Sequence, residues 1–167
     1  MTQSTEQGTI WLTQVAFDKL QAELAHLKGP VRDDIVQRIS EARDEGDLKE
    51  NGGYHAAREE QGKNEGNIRL LEDTLRKAVT DRAADDGVVS VGTVVTYKFE
   101  GDSDDEAERF LLGARENESY VDVEVFSPQA PLGTALLGAT KGDTVAFEAP
   151  TGKTLQVVVL DVTPYDD

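Results

Sequence analysis

Two hydrophobic periods divide the chain. Phe17, Leu20, Leu24 and Leu27 recur at steps of three, four and three, the spacing of a coiled-coil seam. Thr13 precedes this run as an N-cap, and Leu12 is placed to staple onto Phe17. Gly29-Pro30 interrupts the seam. Proline fits the first turn of a new helix, so a kink or break is expected here, with a restart at Val31. Ile35, Ile39 and Ala42 carry the apolar stripe on to Glu45-Gly46. A second arm starts between Asp47 and Tyr54, and Ile68, Leu71, Leu75 and Ala78 repeat the three-four-three step. Arg69, Glu72, Asp73, Arg76 and Lys77 occupy its remaining faces. Two such arms joined by a short turn predict an antiparallel coiled-coil helical hairpin over residues 1–80. From Tyr54 to Ala78 the second arm rises by about 36 Å, so its tip is expected to project from the body.

Asp81 to Gly87 reads as a linker. Beyond it the period changes to two, and β-branched and aromatic residues take over. Strands are expected at Thr93–Phe99, Arg109–Ala114, Val121–Phe126, Thr144–Ala149 and Thr154–Leu160. Turn signals at Gly101-Asp102, Gly142-Asp143 and Pro150-Thr151-Gly152 bound them. Ala135, Leu136 and Leu137, following Pro131, predict one short helix. The fold class is α+β: a hairpin, a linker over 81–87, and a compact antiparallel-sheet domain over 88–167.

Charge narrows the partners. The 167 residues carry 33 acidic and 17 basic side chains, a net charge of −16. Bare nucleic acid is disfavoured, and a basic protein surface fits better. The excess is uneven: residues 1–80 hold 15 acidic and 11 basic side chains, and residues 81–167 hold 18 and 6. Much of the second group is a solvated loop, Glu100 to Glu108. The absence of cysteine excludes disulfides and thiol chemistry. No apolar run reaches the roughly 18 residues of a membrane span, and Met1 to Gly8 has no signal-peptide pattern. A soluble, cytoplasmic monomer without membrane association is expected.

Residues 46–62, the hairpin tip, hold the candidate chemistry. Asp47 and Glu50 form an Asp-x-x-Glu pattern ahead of a helix, which reads as a capping box with Asp47 at the N-cap. The same pair also offers two exposed carboxylates. Mg²⁺ commonly takes only one or two protein carboxylates and keeps its waters, so such a pair would bind it weakly unless other ligands came from elsewhere. Asp44 and Glu45 extend the acidic tip over residues 44–52. His55 and His26 lack a second imidazole at ligand spacing and read as packing or surface residues. Trp11 reads as an anchor at the hairpin base.

Gly46-Asp47-Leu48-Lys49-Glu50-Asn51, followed by Tyr54-His55-Ala56-Ala57-Arg58-Glu59, resembles the hairpin tip of the Gre family of bacterial transcript cleavage factors, in its GreA-type branch. The likeness extends over nearly the whole chain. It implies an FKBP-like domain from about residue 88 and RNA polymerase as partner, with the hairpin entering the polymerase secondary channel. It further implies that Asp47 and Glu50 stabilise a second Mg²⁺ shared with the polymerase and orient the attacking water. Backtracked RNA would then be cut near its 3′ end by the polymerase's own two-metal chemistry. The free protein would hold no cofactor and have no catalytic centre of its own. Arg43 and Arg58 match basic positions that contact RNA phosphate or polymerase; an exposed helix ion pair is the other reading. Ser127 to Gly138 is similar to the family's polymerase-docking segment, which puts Pro131, Leu132 and Leu136 at the docking surface, with the leucines as core residues the alternative.

The chain departs from the family pattern twice. Aligned on Pro131, many members carry Ser-Pro and then a docking arginine three positions after the proline, where this chain has Ala130 and Thr134; and Gly52-Gly53 replaces better helix formers, which predicts a softer or non-helical first turn. Three other functions stay in view: a channel-occupying transcription inhibitor, an FKBP-like prolyl isomerase needing an aromatic-lined pocket, and a coiled-coil chaperone needing an apolar tip.

Overall fold

A computed structural model describes residues 8–167. The expectation that the first residues hold no targeting signal concerns Met1 to Gln7, which lie outside the described residues. The chain forms two compact units: a hairpin over Asp18–Lys77, and a sheet unit that joins the residues up to Phe17 to Ala78–Asp167. By packing, the residues before the hairpin belong with the sheet unit, a division that differs from the expected 1–80, 81–87 and 88–167. The reason is a two-stranded parallel pair, β1 (Ile10–Trp11) with β2 (Ala78–Val79), which ties both flanks of the hairpin into the sheet unit. Strands of two residues are too short to show a period.

Helix α1 (Gln14–His26) starts as expected. Thr13 Oγ1 accepts the Ala16 amide at 2.9 Å, the N-cap geometry. The break expected at Gly29-Pro30 does not occur. The helix instead passes through a π-helical turn, Leu27–Val31, and continues as α2 (Arg32–Asp44). Proline has no N–H, and its ring crowds the carbonyl four residues back. Widening the turn relieves the crowding and lets the Arg32 amide reach the carbonyls of Leu27 and Gly29. The apolar positions Leu27, Val31, Ile35 and Ile39 step by four each time, one residue more than a heptad seam allows, and the wide turn absorbs it.

Helix α3 (Gly52–Lys77) returns along this arm. Ala57, Asn64 and Ile68 are its buried residues. Asn64 sits opposite the π-turn and donates its Nδ2 hydrogen to the Leu27 carbonyl at 3.1 Å. Ile35, Ile39 and Ala57 form one apolar cluster, flanked by Val31 and Tyr54. Three ion pairs cross between the arms: Lys28–Glu72 at 3.5 Å, Arg32–Glu65 at 2.8 Å and Arg38–Glu60 at 2.7 Å. In each, the first arm supplies the cation and the second the carboxylate.

In the sheet unit, β3 (Thr93–Phe99), β4 (Glu108–Leu112), β5 (Glu124–Phe126), β6 (Thr144–Glu148) and β7 (Thr154–Pro164) form one sheet in the order β5-β4-β3-β7-β6. It is not wholly antiparallel. β4 and β5 run parallel, because the chain between them crosses over through a 3₁₀ segment, Arg115–Tyr120, rather than turning as a hairpin. Helix α4 (Pro131–Leu136) packs on one face, in the α+β arrangement expected of the domain. Val95, Tyr97, Phe110, Leu112, Val157 and Val159 fill the core on that face, while Val94 and Leu111 point to the other. A register shift between Thr96 and Tyr97 sets Leu160 out of the pairing, so both Val159 and Val162 reach the same core.

The expected linker is anchored to the sheet unit. The Trp11 indole N–H donates to the Asp81 carbonyl at 2.8 Å, and Arg82 pairs with Asp166 at 2.8 Å. The Trp11 ring meets Tyr165 edge-on at 6.3 Å and lies so close to Gly113 that a Cβ there would fall 3.1 Å from Cε3. Asn117, fully buried, accepts the Thr13 amide at 2.9 Å and donates to the carbonyls of Trp11 at 3.0 Å and Ala114 at 2.9 Å.

Asn117→Ala should destabilise the sheet unit by about 3 kcal/mol, because buried backbone groups lose their partners. Urea unfolding followed by the chain's single tryptophan checks this. In the hairpin, the Arg38 guanidinium holds the Glu60 carboxyl below its ordinary range, chiefly through their hydrogen bond. A depressed carboxyl stabilises the fold above its unfolded value of about 4.3, and that contribution is lost as pH falls through the lower folded value. Hairpin helicity in urea should therefore weaken below about pH 4, with a shallower pH slope in Glu60→Gln.

Candidate functional site at the hairpin tip

Residues 45–51 join α2 to α3. Asn51 caps the returning helix: its Oδ1 accepts the Tyr54 amide at 3.0 Å, while its Nδ2 hydrogen bonds the Ala42 carbonyl of the other arm. This overturns the capping box. Helix α3 begins at Gly52, so Asp47 lies too far back to reach its third amide. Asp47 Oδ1 instead accepts the Lys49 amide at 3.1 Å, closing a local turn. Gly46 has φ of +139°, a backbone region closed to most side chains. Gly52 and Gly53 form the first helical positions, so the first turn is helical where softening was expected. Tyr54 then packs against the Ile35–Ile39–Ala57 cluster and meets the exposed His55 edge-on at 5.6 Å.

The side chains between the arms face solvent: Asp44, Glu45, Asp47, Leu48, Lys49 and Glu50 are all exposed. Neither Asp47 nor Glu50 forms an ion pair among the described residues. Arg43 and Arg58 are exposed too, and the helix ion pair that would otherwise account for them is missing among the described residues. Arg58 Nη1 donates to Gln61 Oε1 at 3.0 Å. Among the described residues no group of three or more histidine, cysteine, aspartate or glutamate side chains could hold a metal. Asp47 and Glu50 are two exposed carboxylates, too few by themselves to complete a cation's shell, with oxygen ligands of the kind a hard cation such as Mg²⁺ takes.

The expected docking segment needs correction. Leu132 and Leu136 are 8% and 0% exposed and belong to the sheet core. A Cβ at the neighbouring Gly133 would lie 2.3 Å from the Ser127 carbonyl oxygen, so only glycine lets α4 approach this closely. Pro131 remains at the surface as the first helical residue, and Leu137 is 48% exposed. Leu137 lines a groove of about 960 Å³ with Ile10, Val79, Val91, Pro128 and Gln129. The resemblance pointed to Leu136 and passed over Leu137; the helix ends at Leu136, and Leu137 has left the helical path. Thr134, at the position of the missing arginine, hydrogen bonds the Pro128 carbonyl at 2.7 Å.

The chain thus combines a two-helix arm with an acidic tip and a mixed-sheet unit. Residues 10–79 match the family described as transcription elongation factor, N-terminal, and residues 84–164 match transcription elongation factor, GreA/GreB, C-terminal. The chain belongs to this GreA/GreB family of transcription elongation factors. It is 51% identical to transcription elongation factor GreA of Streptomyces coelicolor over 99% of both chains. It is 44% identical to GreA of Mycobacterium tuberculosis over 96% of this chain and 98% of that one. Among solved structures, the GreA factor homolog 1 protein of Thermus thermophilus matches at 22% identity over 92% of this chain and 98% of its own, with a TM-score of 0.42. No helix among the described residues is long and apolar enough to cross a membrane.

Two adjacent leucines separate core from surface. Leu136→Ala should cost about 2–5 kcal/mol of stability, and Leu137→Ala should stay within about 0.5 kcal/mol of the parent. Thermal unfolding of the two variants checks the assignment.

Proposed function

We propose that this elongation factor binds RNA polymerase, inserts its hairpin into the secondary channel and stimulates the polymerase's cleavage of backtracked RNA. One observation carries the reading. Asp47 and Glu50 stand exposed, and without ion-pair partners among the described residues, on a short loop held at both ends, whereas ion pairs cross between the arms behind them. A carboxylate pair kept open in this way suits a ligand that the free protein does not complete.

The side chains would act as follows. Asp47 and Glu50 supply anionic oxygens to a Mg²⁺ that polymerase carboxylates also hold, and they accept a hydrogen bond from the attacking water, which orients it toward the RNA phosphate. Mg²⁺ in such a site polarises the phosphoryl oxygen and lowers the pKa of bound water. Arg43 and Arg58, close to the tip in sequence and exposed, offer charge to the RNA phosphate near its 3′ end or to the polymerase. Helix α3, 26 residues long, supplies about 39 Å of reach. The protein contributes half of a site and contains no complete catalytic centre, and it acts as a monomer in the cytoplasm. Pro131 and Leu137, with the groove beside them, replace Leu132 and Leu136 as the surface that fits a polymerase contact.

The isomerase alternative lacks support. Tyr97 and Phe110 are buried and pack edge-to-face at 5.7 Å as core residues, and the open pocket beside Phe99 is otherwise lined by Glu100, Asp102, Thr154, Leu155 and Gln156, so it is not walled by aromatic rings. The chaperone alternative asks for an apolar tip, and Leu48 alone, 39% exposed, stands among charged neighbours.

In a stalled, backtracked elongation complex, the protein should accelerate Mg²⁺-dependent cleavage at the RNA 3′ end. Asp47→Ala with Glu50→Ala should lower that stimulation by about 10- to 100-fold or more while polymerase binding persists. Equal activity of the double variant would sink the metal-sharing role. Reduced initiation with no cleavage by the parent would favour an inhibitor.

A further inference from the structure

We infer that Asn51 is the positioning residue of the tip, tying both ends of the loop that presents Asp47 and Glu50; this rests on the function proposed above. Helix α2 ends with carbonyls that lack intrahelical partners, and α3 begins with amides that lack them. Asn51 reaches both ends, adding a second donor to a carbonyl that the Glu45 amide also reaches and an acceptor to an amide of the returning helix. Its Nδ2 hydrogen reaches the Ala42 carbonyl in the last turn of α2, and its Oδ1 takes the Tyr54 amide in the first turn of α3. The orientation of the amide follows from these partners, since the carbonyl can only accept and the amide can only donate.

Serine, threonine and aspartate cap helices as well as asparagine does. None of them offers a donor at the same reach while accepting at the cap, and aspartate would set a carboxylate against the Ala42 carbonyl. The cap alone therefore does not require asparagine at position 51, whereas the cross-arm tie does. Few other bonds restrain the loop. The Glu45 amide reaches the Ala42 carbonyl at 3.2 Å, and the Lys49 amide bonds Asp47 within the loop itself. Neither bond spans the two arms. Asn51 is half-buried against the hairpin, whereas every residue from Asp44 to Glu50 is exposed. Without the tie, the two carboxylates stay in the chain but their separation from the arms is free to vary. A pair of weak ligands then has to be ordered each time the cation is engaged, which raises the Mg²⁺ concentration needed.

The test compares the parent, Asn51→Ser and Asn51→Ala. Serine keeps the cap and loses the tie; alanine loses both. In the free protein, ¹⁵N relaxation at residues 46–50 should show order parameters dropping from near about 0.85 toward about 0.6 in both variants, with the circular dichroism of Asn51→Ser unchanged. In backtracked complexes, Asn51→Ser should need about tenfold more Mg²⁺ for half-maximal cleavage and recover the parental maximum at saturation. Added to the Asp47→Ala, Glu50→Ala background, the serine change should have no further effect. Unchanged order parameters together with unchanged Mg²⁺ demand would overturn the positioning role, as would a lowered maximum with normal Mg²⁺ demand. A parent protein that stimulates no cleavage would remove the functional reading instead, and the order parameters would then still decide whether Asn51 ties the loop.

Discussion

Backbone amides and carbonyls withdrawn from water must find partners, and at three breaks in its regular structure this chain supplies them with asparagine. Four asparagines occur in the sequence, and three of them do this work. Asn117 holds the segment that leads into the first helix, Asn64 serves the π-turn, and Asn51 joins the two arms at the tip. A carboxamide on a short side chain can donate and accept at once. Each of the three side chains donates to a carbonyl at a break in the regular structure, and Asn51 and Asn117 also accept a backbone amide. The apolar clusters then pack around these ties.

Charge is arranged to the same end. Along the hairpin, lysine and arginine of the first arm meet glutamates of the second, so the arms attract only when antiparallel and in register. Exposed ion pairs of this kind add little stability, yet they give the two faces complementary signs. At the tip the pattern stops. Asp47, Glu50, Arg43 and Arg58 have no ion-pair partners among the described residues, and under the proposed function these are the charges offered to a partner's metal or phosphate.

Legibility in the sequence followed the length over which a signal repeats. The helices and the five larger strands repeat their period over several residues and were readable within a few positions. The two-residue strands β1 and β2 were not, and neither was the parallel pairing of β5, because pairing direction depends on where a crossover lands. Pro30 was readable as a disturbance, but not as a π-turn. The distinguishing mark was present: three consecutive apolar steps of four from Leu27 to Ile39. A single added residue gains meaning only when an opposing arm fixes what the seam must face.

At the site, residue identity and tertiary setting divided the labour. The sequence by itself determined that two carboxylates lie on a turn between two amphipathic helices, and its long tip motif determined the family. Only the tertiary structure decided that Asn51 rather than Asp47 caps the second helix, since a cap depends on which amide a side chain reaches. It also decided that Leu132 and Leu136 are core and Leu137 is surface. Period and composition describe what a segment prefers alone, whereas burial and hydrogen-bond choice depend on neighbours that sequence separation hides: Ala42 for Asn51, Leu27 for Asn64, and Trp11, over a hundred residues away, for Asn117.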